Sequence, residues 1–245
     1  MTPVLSSFQN LKSVWASNTT ATITAGQIIL QTASDGAAYL ASSVNVTLNS
    51  ATSGAGGLDT GSLAASSWYY VYLIYNGTTV NALMSASATS PTLPFGYTYV
   101  TSAIGAVRTD GSKNFLGFIQ YGRDWQYVVG NNLSSLPQMI SGSSGSVSTP
   151  TWTSVATGDF VPSTAAKITL SLATINTATM IAMAAPNSNY GGYQSTTNLP
   201  PLLCVSIASE NWESFVGEFV LESSNIYYTA SGGGYLYCLG FTLNI

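Results

Sequence analysis

The eight residues from Trp68 to Tyr75, WYYVYLIY, are apolar or aromatic without a break and end at Asn76-Gly77. In an extended chain, alternate side chains point to opposite faces. Trp68, Tyr70, Tyr72 and Ile74 therefore share one face, and Tyr69, Val71, Leu73 and Tyr75 the other. A strand with one wet face alternates apolar and polar residues, so this one must be covered on both. One cover is expected from its own sandwich, the other from a second domain or a neighbouring subunit. The run is the longest apolar stretch of the chain, and it falls far short of the roughly 20 residues of a membrane-spanning helix.

The rest of the chain reads as short β-rich runs punctuated by Gly, Asn-Gly and Asp-Gly, the pattern of sandwiches and barrels. No long stretch carries a 3.6-residue period. ATITAGQIILQT predicts two short strands around Ala25-Gly26. SSVNVTLNS sets Val44, Val46 and Leu48 against Ser43, Asn45 and Thr47, a half-buried strand. YVYLIYNGTTVNALMS predicts a hairpin with a two-residue Asn76-Gly77 turn, and a second hairpin is expected to turn at Asp110-Gly111. Residues 130–150, GNNLSSLPQMISGSSGSVSTP, read as a linker. Strands resume at 151, and in the C-terminal run Tyr235, Tyr237, Leu239, Phe241 and Leu243 are expected to face one side. The expected architecture is all-β: two β-sandwich, jelly-roll-like domains over 16–129 and 151–245, with little helix.

Residues 1–15 form a tail whose Val4, Leu5, Phe8, Leu11 and Trp15 are too apolar for a free terminus. They are expected to anchor the protein to a neighbour on a particle; folding back onto their own domain is the alternative. The 4-3-4 spacing of Val4, Phe8, Leu11 and Trp15 fits a short helical face or an extended docked segment. The tail has neither the basic region nor the apolar core of a signal peptide, which points to a reducing compartment. There Cys204 and Cys238 are expected to be small buried apolar residues, with pairing as the alternative.

Chemistry is sparse. The chain has no histidine, which removes the usual triad base and the commonest metal ligand. No phosphate-binding loop or dinucleotide fingerprint occurs, and two cysteines do not make a four-ligand zinc site. No catalytic residue, metal or cofactor is expected. Five scattered basic residues against nine acids argue against nucleic acid as a partner. The one arrangement that suggests catalysis is Glu210 and Glu213 flanking Trp212, a carboxylate pair of the glycosidase kind. Binding has better candidates, because tyrosine and tryptophan present a flat apolar face with one polar atom, which suits sugars and protein interfaces. NSNYGGYQSTTN places Tyr190 and Tyr193 in a polar loop, and with Trp212 they form the expected ligand-binding surface.

GLDTGSLAASSWYYVYLIYNG, SPTLPFGYTY and GAVRTDGSKNF, within residues 11–128, resemble a domain of tailed-bacteriophage and prophage proteins described as tail-fibre or virion structural proteins, a likeness that does not separate tail fibre from capsid decoration. AAPNSNYGG and ESSNIYYTASGGGYLYCLGF are similar to a β-sandwich that often follows that domain. The resemblance implies a homotrimeric virion component, made in the bacterial host cytoplasm and displayed on the particle without membrane insertion. Its partners would be itself, other virion proteins and a host-surface glycan. A capsid decoration or head-fibre protein is the alternative, and a glycan-cleaving enzyme a remote one. Only 6% of residues are charged, against about 25% in ordinary soluble domains. With that composition, Trp68, Tyr70 and Tyr72 are expected to join the tail in the subunit interface.

Overall fold

The computed structural model describes residues 8–32, 34–130, 132–176, 179–207 and 211–245, which are all-β with no helix among them. Two units share the chain. The first comprises Met1–Ser134 with Pro162–Thr164 and Leu243–Ile245; the second comprises Ser135–Val161 and Ala165–Thr242.

The strands of the first unit are β1 (Phe8–Gln9), β2 (Lys12–Trp15), β3 (Thr20–Thr32), β4 (Ala38–Asn49), β5 (Trp68–Tyr75), β6 (Val80–Ser85), β7 (Tyr99–Val100), β8 (Gly105–Arg108), β9 (Phe118–Tyr121) and β10 (Asp124–Tyr127). They pair antiparallel in the order β10-β9-β2-β3-β7-β5-β6, with β1 and β4 also on β3 and β8 on β5. The two faces of β5 are both covered by the unit's own chain. On one face Tyr70, Tyr72, Ile74, Leu83 and Ala103 form a buried cluster, capped by Ala88, Leu93, Tyr97 and Val100 from the following loop and strand. On the other, Tyr69, Val71 and Leu73 are buried as well. The polar atoms of the tyrosines are served locally: Tyr72 donates to the Ser87 carbonyl at 2.7 Å, and Tyr70 shares a hydrogen bond with Ser163 at 2.6 Å.

That arrangement corrects the interface expectation. Tyr70 and Tyr72 are 7% and 1% exposed and offer no surface to a neighbour. Trp68 is half-buried, edge-on to Trp125 at 5.9 Å and beneath Arg108 at 5.5 Å. Trp125 in turn stacks on Phe118, meets Tyr127 edge-on and donates from its indole N–H to the Ala106 carbonyl at 3.0 Å. Tyr69, Phe115, Phe118, Trp125 and Tyr127 are buried in this unit as well, whereas Phe95 and Tyr121 are exposed.

The tail reading changes too. Val4 and Leu5 lie outside the described residues, but Phe8 to Trp15 belong to the unit's sheet. β2 pairs with β3 on one side and β9 on the other, Val14 standing opposite both Thr22 and Ile119. Leu11 is 2% exposed, and Trp15 donates to the Phe115 carbonyl at 3.1 Å. From Phe8 onward the segment is extended and packed on its own domain, because its apolar groups complete that core.

Three turn expectations are also revised. β3 runs unbroken through Ala25-Gly26, and the absence of a side chain at Gly26 lets the Gln9 carbonyl come within 3.3 Å of where a Cβ would stand. The β5–β6 connection spans Asn76–Thr79, since the last paired residues are Tyr75 and Val80. The Asn76 side chain closes it by accepting from the amides of Thr78 and Thr79, and Gly77 takes the left-handed φ of 93°. At Asp110-Gly111 the chain does turn, Lys113 donating to the Asp110 carbonyl at 3.1 Å, but the two arms meet in an isolated Thr109–Phe115 bridge and not in a pair of strands.

The second unit holds β11 (Gln138–Ser141), β12 (Thr153–Ala156), β13 (Ala165–Asn176), β14 (Met180–Ala185), β15 (Leu202–Ser206), β16 (Asn211–Val220), β17 (Asn225–Ala230) and β18 (Gly234–Leu243). One set of four is ordered β16-β13-β18 with β11 on β18, the other β12-β17-β14-β15. The stretch read as a linker therefore contributes a strand: β11 pairs with β18, bulging between Gln138 and Ile140. β18 follows the expected alternation from the opposite side. Leu236 and Cys238 are buried while Tyr235 and Tyr237 stack outward at 6.2 Å, and the phase slips at Gly240-Phe241, after which Phe241 and Leu243 are buried.

Candidate functional site

The β14–β15 connection is long, yet it is tied down along its length. Asn187 accepts from the Asn189 amide at 2.9 Å and donates from its side-chain amide to Glu222 Oε2 at 2.7 Å. Asn198 donates to the Asn189 carbonyl at 2.8 Å, and its own carbonyl accepts from the Gly191 amide at 2.7 Å. Trp152 reaches in from the segment before β12 and donates its indole N–H to the Tyr190 carbonyl at 3.1 Å. Gly192 is a close-approach position: a Cβ there would stand 2.4 Å from the Val147 carbonyl, the group that also accepts from the Tyr193 amide.

These bonds hold Asn187, Asn189, Tyr190 and Asn198 around an open cleft of about 260 Å³. Three carboxamides offer donors and acceptors side by side, and the phenol adds a flat apolar face. Ligand cavities usually run about 300–1,000 Å³. This one has room for a single sugar-sized group at a chain end rather than an enclosed oligosaccharide.

Of the residues singled out in the sequence, Tyr190 lines the cleft. Tyr193 is next to it in the same loop, its hydroxyl accepting from Gln194 at 2.7 Å. Trp212 is elsewhere: its backbone, in β16, pairs with Ile175 of β13, and its side chain lies outside the described residues. The three asparagines stand in the same quoted loop but are indistinguishable by type from ordinary turn residues. Trp152 and Glu222 come from distant sequence, and no local pattern marks them.

The acids are mostly structural. Asp35 bonds the Thr32 hydroxyl and the Ala37 amide, which together hold its carboxyl below the usual range. Asp59 bonds the Thr60 and Thr92 amides, and Asp110 those of Ser112 and Asn114. Glu210 lies outside the described residues; Glu213 is in β16 opposite Thr174. Cys204 and Cys238 are both free and buried, which decides the question the sequence left open. Burial pushes the Cys238 thiol up to about 12. Among the described residues no cluster of three or more His, Cys, Asp or Glu is placed to hold a metal, and no helix is long and apolar enough to cross a membrane. No protein-family model, curated protein or solved structure matches the chain.

Proposed function

We propose that the chain is a non-enzymatic bacteriophage virion protein of tail-fibre type that binds a terminal sugar of a host-surface glycan in the Asn187–Asn198 cleft. The observation that carries the binding half is the cleft itself: three carboxamides and a phenol, braced from behind by Glu222 and Trp152. Such groups recognise neutral hydroxyls but do not transfer protons at neutral pH. The virion half rests on the resemblance of residues 11–128. The strand orders β16-β13-β18-β11 and β12-β17-β14-β15 support a jelly-roll reading of the second unit, since consecutive strands largely cross between the two sets. The two-sided strand β5 no longer argues for a trimer, its faces being covered within one chain.

A shallow cleft of this size gives weak single-site affinity, so strong attachment would come from many copies on one particle. The test is saturation-transfer NMR or a glycan array with host polysaccharide. Tyr190→Ala and Asn198→Ala each remove about 1–2 kcal/mol of contact, roughly a tenfold loss of affinity. Unchanged binding in both variants overturns the site, and release of reducing ends overturns the non-enzymatic reading. Gold-labelled particles place the protein on tail or shell.

A further inference from the structure

Natural sheets blunt their edges with short strands, kinks, bulges, proline or covering loops, because an open edge offers unpaired backbone groups to another strand. This chain uses several of those devices. The loop after β4 lies along β6, with Gly56 donating to the Ala82 carbonyl and Met84 to that of Gly57. β4 itself is kinked at Ser43, which has a φ of 52°. β11 is bulged and β12 and β15 are short.

Among the described residues β16 carries none of them. Its ten residues pair with β13 in one unbroken register, Asn211 opposite Asn176 through Val220 opposite Lys167. Among the described residues it pairs with no other strand. It contains no proline, and three apolar residues on it are open: Phe215 is 49% exposed, Val216 63% and Val220 61%. Glu218, the one charge between Ser214 and Val220, is already 3.8 Å from Lys167.

We propose that β16 pairs antiparallel with β16 of a second copy of this chain about a twofold axis at Val216. Directly opposed residues in an antiparallel pair point to the same face, so the register is restricted. Phe219 is buried on the inner face, and Val216, Glu218 and Val220 alternate with it on the outer one. Two sandwiches joined edge to edge keep their cores on one side only if each residue meets one an even number of positions away. A shift of one residue breaks that rule and also sets Glu213 against Glu218. Among the even registers, the one centred on Val216 opposes valine to valine and Glu218 to Ser214, an acid to a hydroxyl that can donate to it. Centring on Gly217 instead sets Glu218 against Val216. The chosen register joins the two β16 edges into one continuous antiparallel ladder between the copies. The chain's few charges leave little repulsion between copies. This pairing is independent of the proposed glycan site and differs from the trimer that the resemblance implies.

The test is absolute light scattering on the full chain at high micromolar concentration. The expected mass is twice that of one chain, falling to one with Val216→Lys and staying at two with Leu40→Lys, an exposed apolar residue elsewhere. Circular dichroism of both variants should match the parent, since both side chains are in water in one chain. Mild oxidation of Val216→Cys should give a covalent dimer and Val220→Cys should not, because only residue 216 meets itself; the native cysteines are buried and do not compete. A parent mass of one or three chains overturns the proposal. So does a Val216→Lys variant that keeps the doubled mass, or a Val220→Cys variant that cross-links as readily as Val216→Cys.

Discussion

Tyr72→Ala tests whether β5 is covered by its own chain. The ring is 1% exposed among Tyr70, Ile74, Leu83 and Ala103, and its hydroxyl donates to the Ser87 carbonyl. Removing a buried aromatic ring of this size costs about 3–5 kcal/mol, the upper part arising when the site does not collapse. With a urea slope of about 2 kcal/mol per molar, the midpoint should fall by roughly 1.5–2.5 M. Tyr72→Phe keeps the ring and loses one hydrogen bond, for about 0.5–1.5 kcal/mol. The assay is urea unfolding followed by tryptophan fluorescence at two protein concentrations a hundredfold apart. Because the cover is intramolecular, the shift caused by Tyr72→Ala should be the same at both. If a neighbouring subunit covered this face, the variant would instead stay folded while its particle mass dropped. A midpoint within about 0.3 M of the parent, an energy of about 0.6 kcal/mol or less at that slope, would refute the packing argument.

Two further outcomes follow from the same geometry. Burial raises the phenol pKa of both Tyr72 and Tyr228, so the fold favours their neutral forms. Their contribution is fully present below the unfolded value near 10 and is lost as pH rises above it, by up to about 1.4 kcal/mol per pH unit for each. Urea midpoints at stepped alkaline pH should therefore decline, less steeply in Tyr72→Phe; an identical slope would exclude Tyr72 as a cause. Gly77→Val places a β-branched residue at a φ of 93°, where a Cβ meets nothing within 4 Å. The cost is backbone strain alone, about 1–3 kcal/mol, and Gly77→Asn should cost less. Equal melting temperatures for the parent and Gly77→Val would place the turn elsewhere.

The amino-acid sequence made legible the all-β class, the alternation in β4 and the interior character of β5, because strand periodicity and turn residues act over a few positions. It also marked the loop that holds Tyr190. Other features were decided only in three dimensions. Phe8 to Trp15 read as an apolar anchoring tail, and became β1 on β3 and β2 between β3 and β9, because those partners are distant in sequence. Gln138–Ser141 were hidden in Ser/Gly-rich text until β18 supplied the matching edge. The second cover of β5 came from residues 88–103, which a strand pattern cannot name. The cleft depends on Trp152 and Glu222 meeting the loop, and the open edge of β16 on which strand ends up outermost. A strand's faces are written in its own alternation, but its neighbours are set by long-range backbone pairing, for which every extended segment carries the same donors and acceptors.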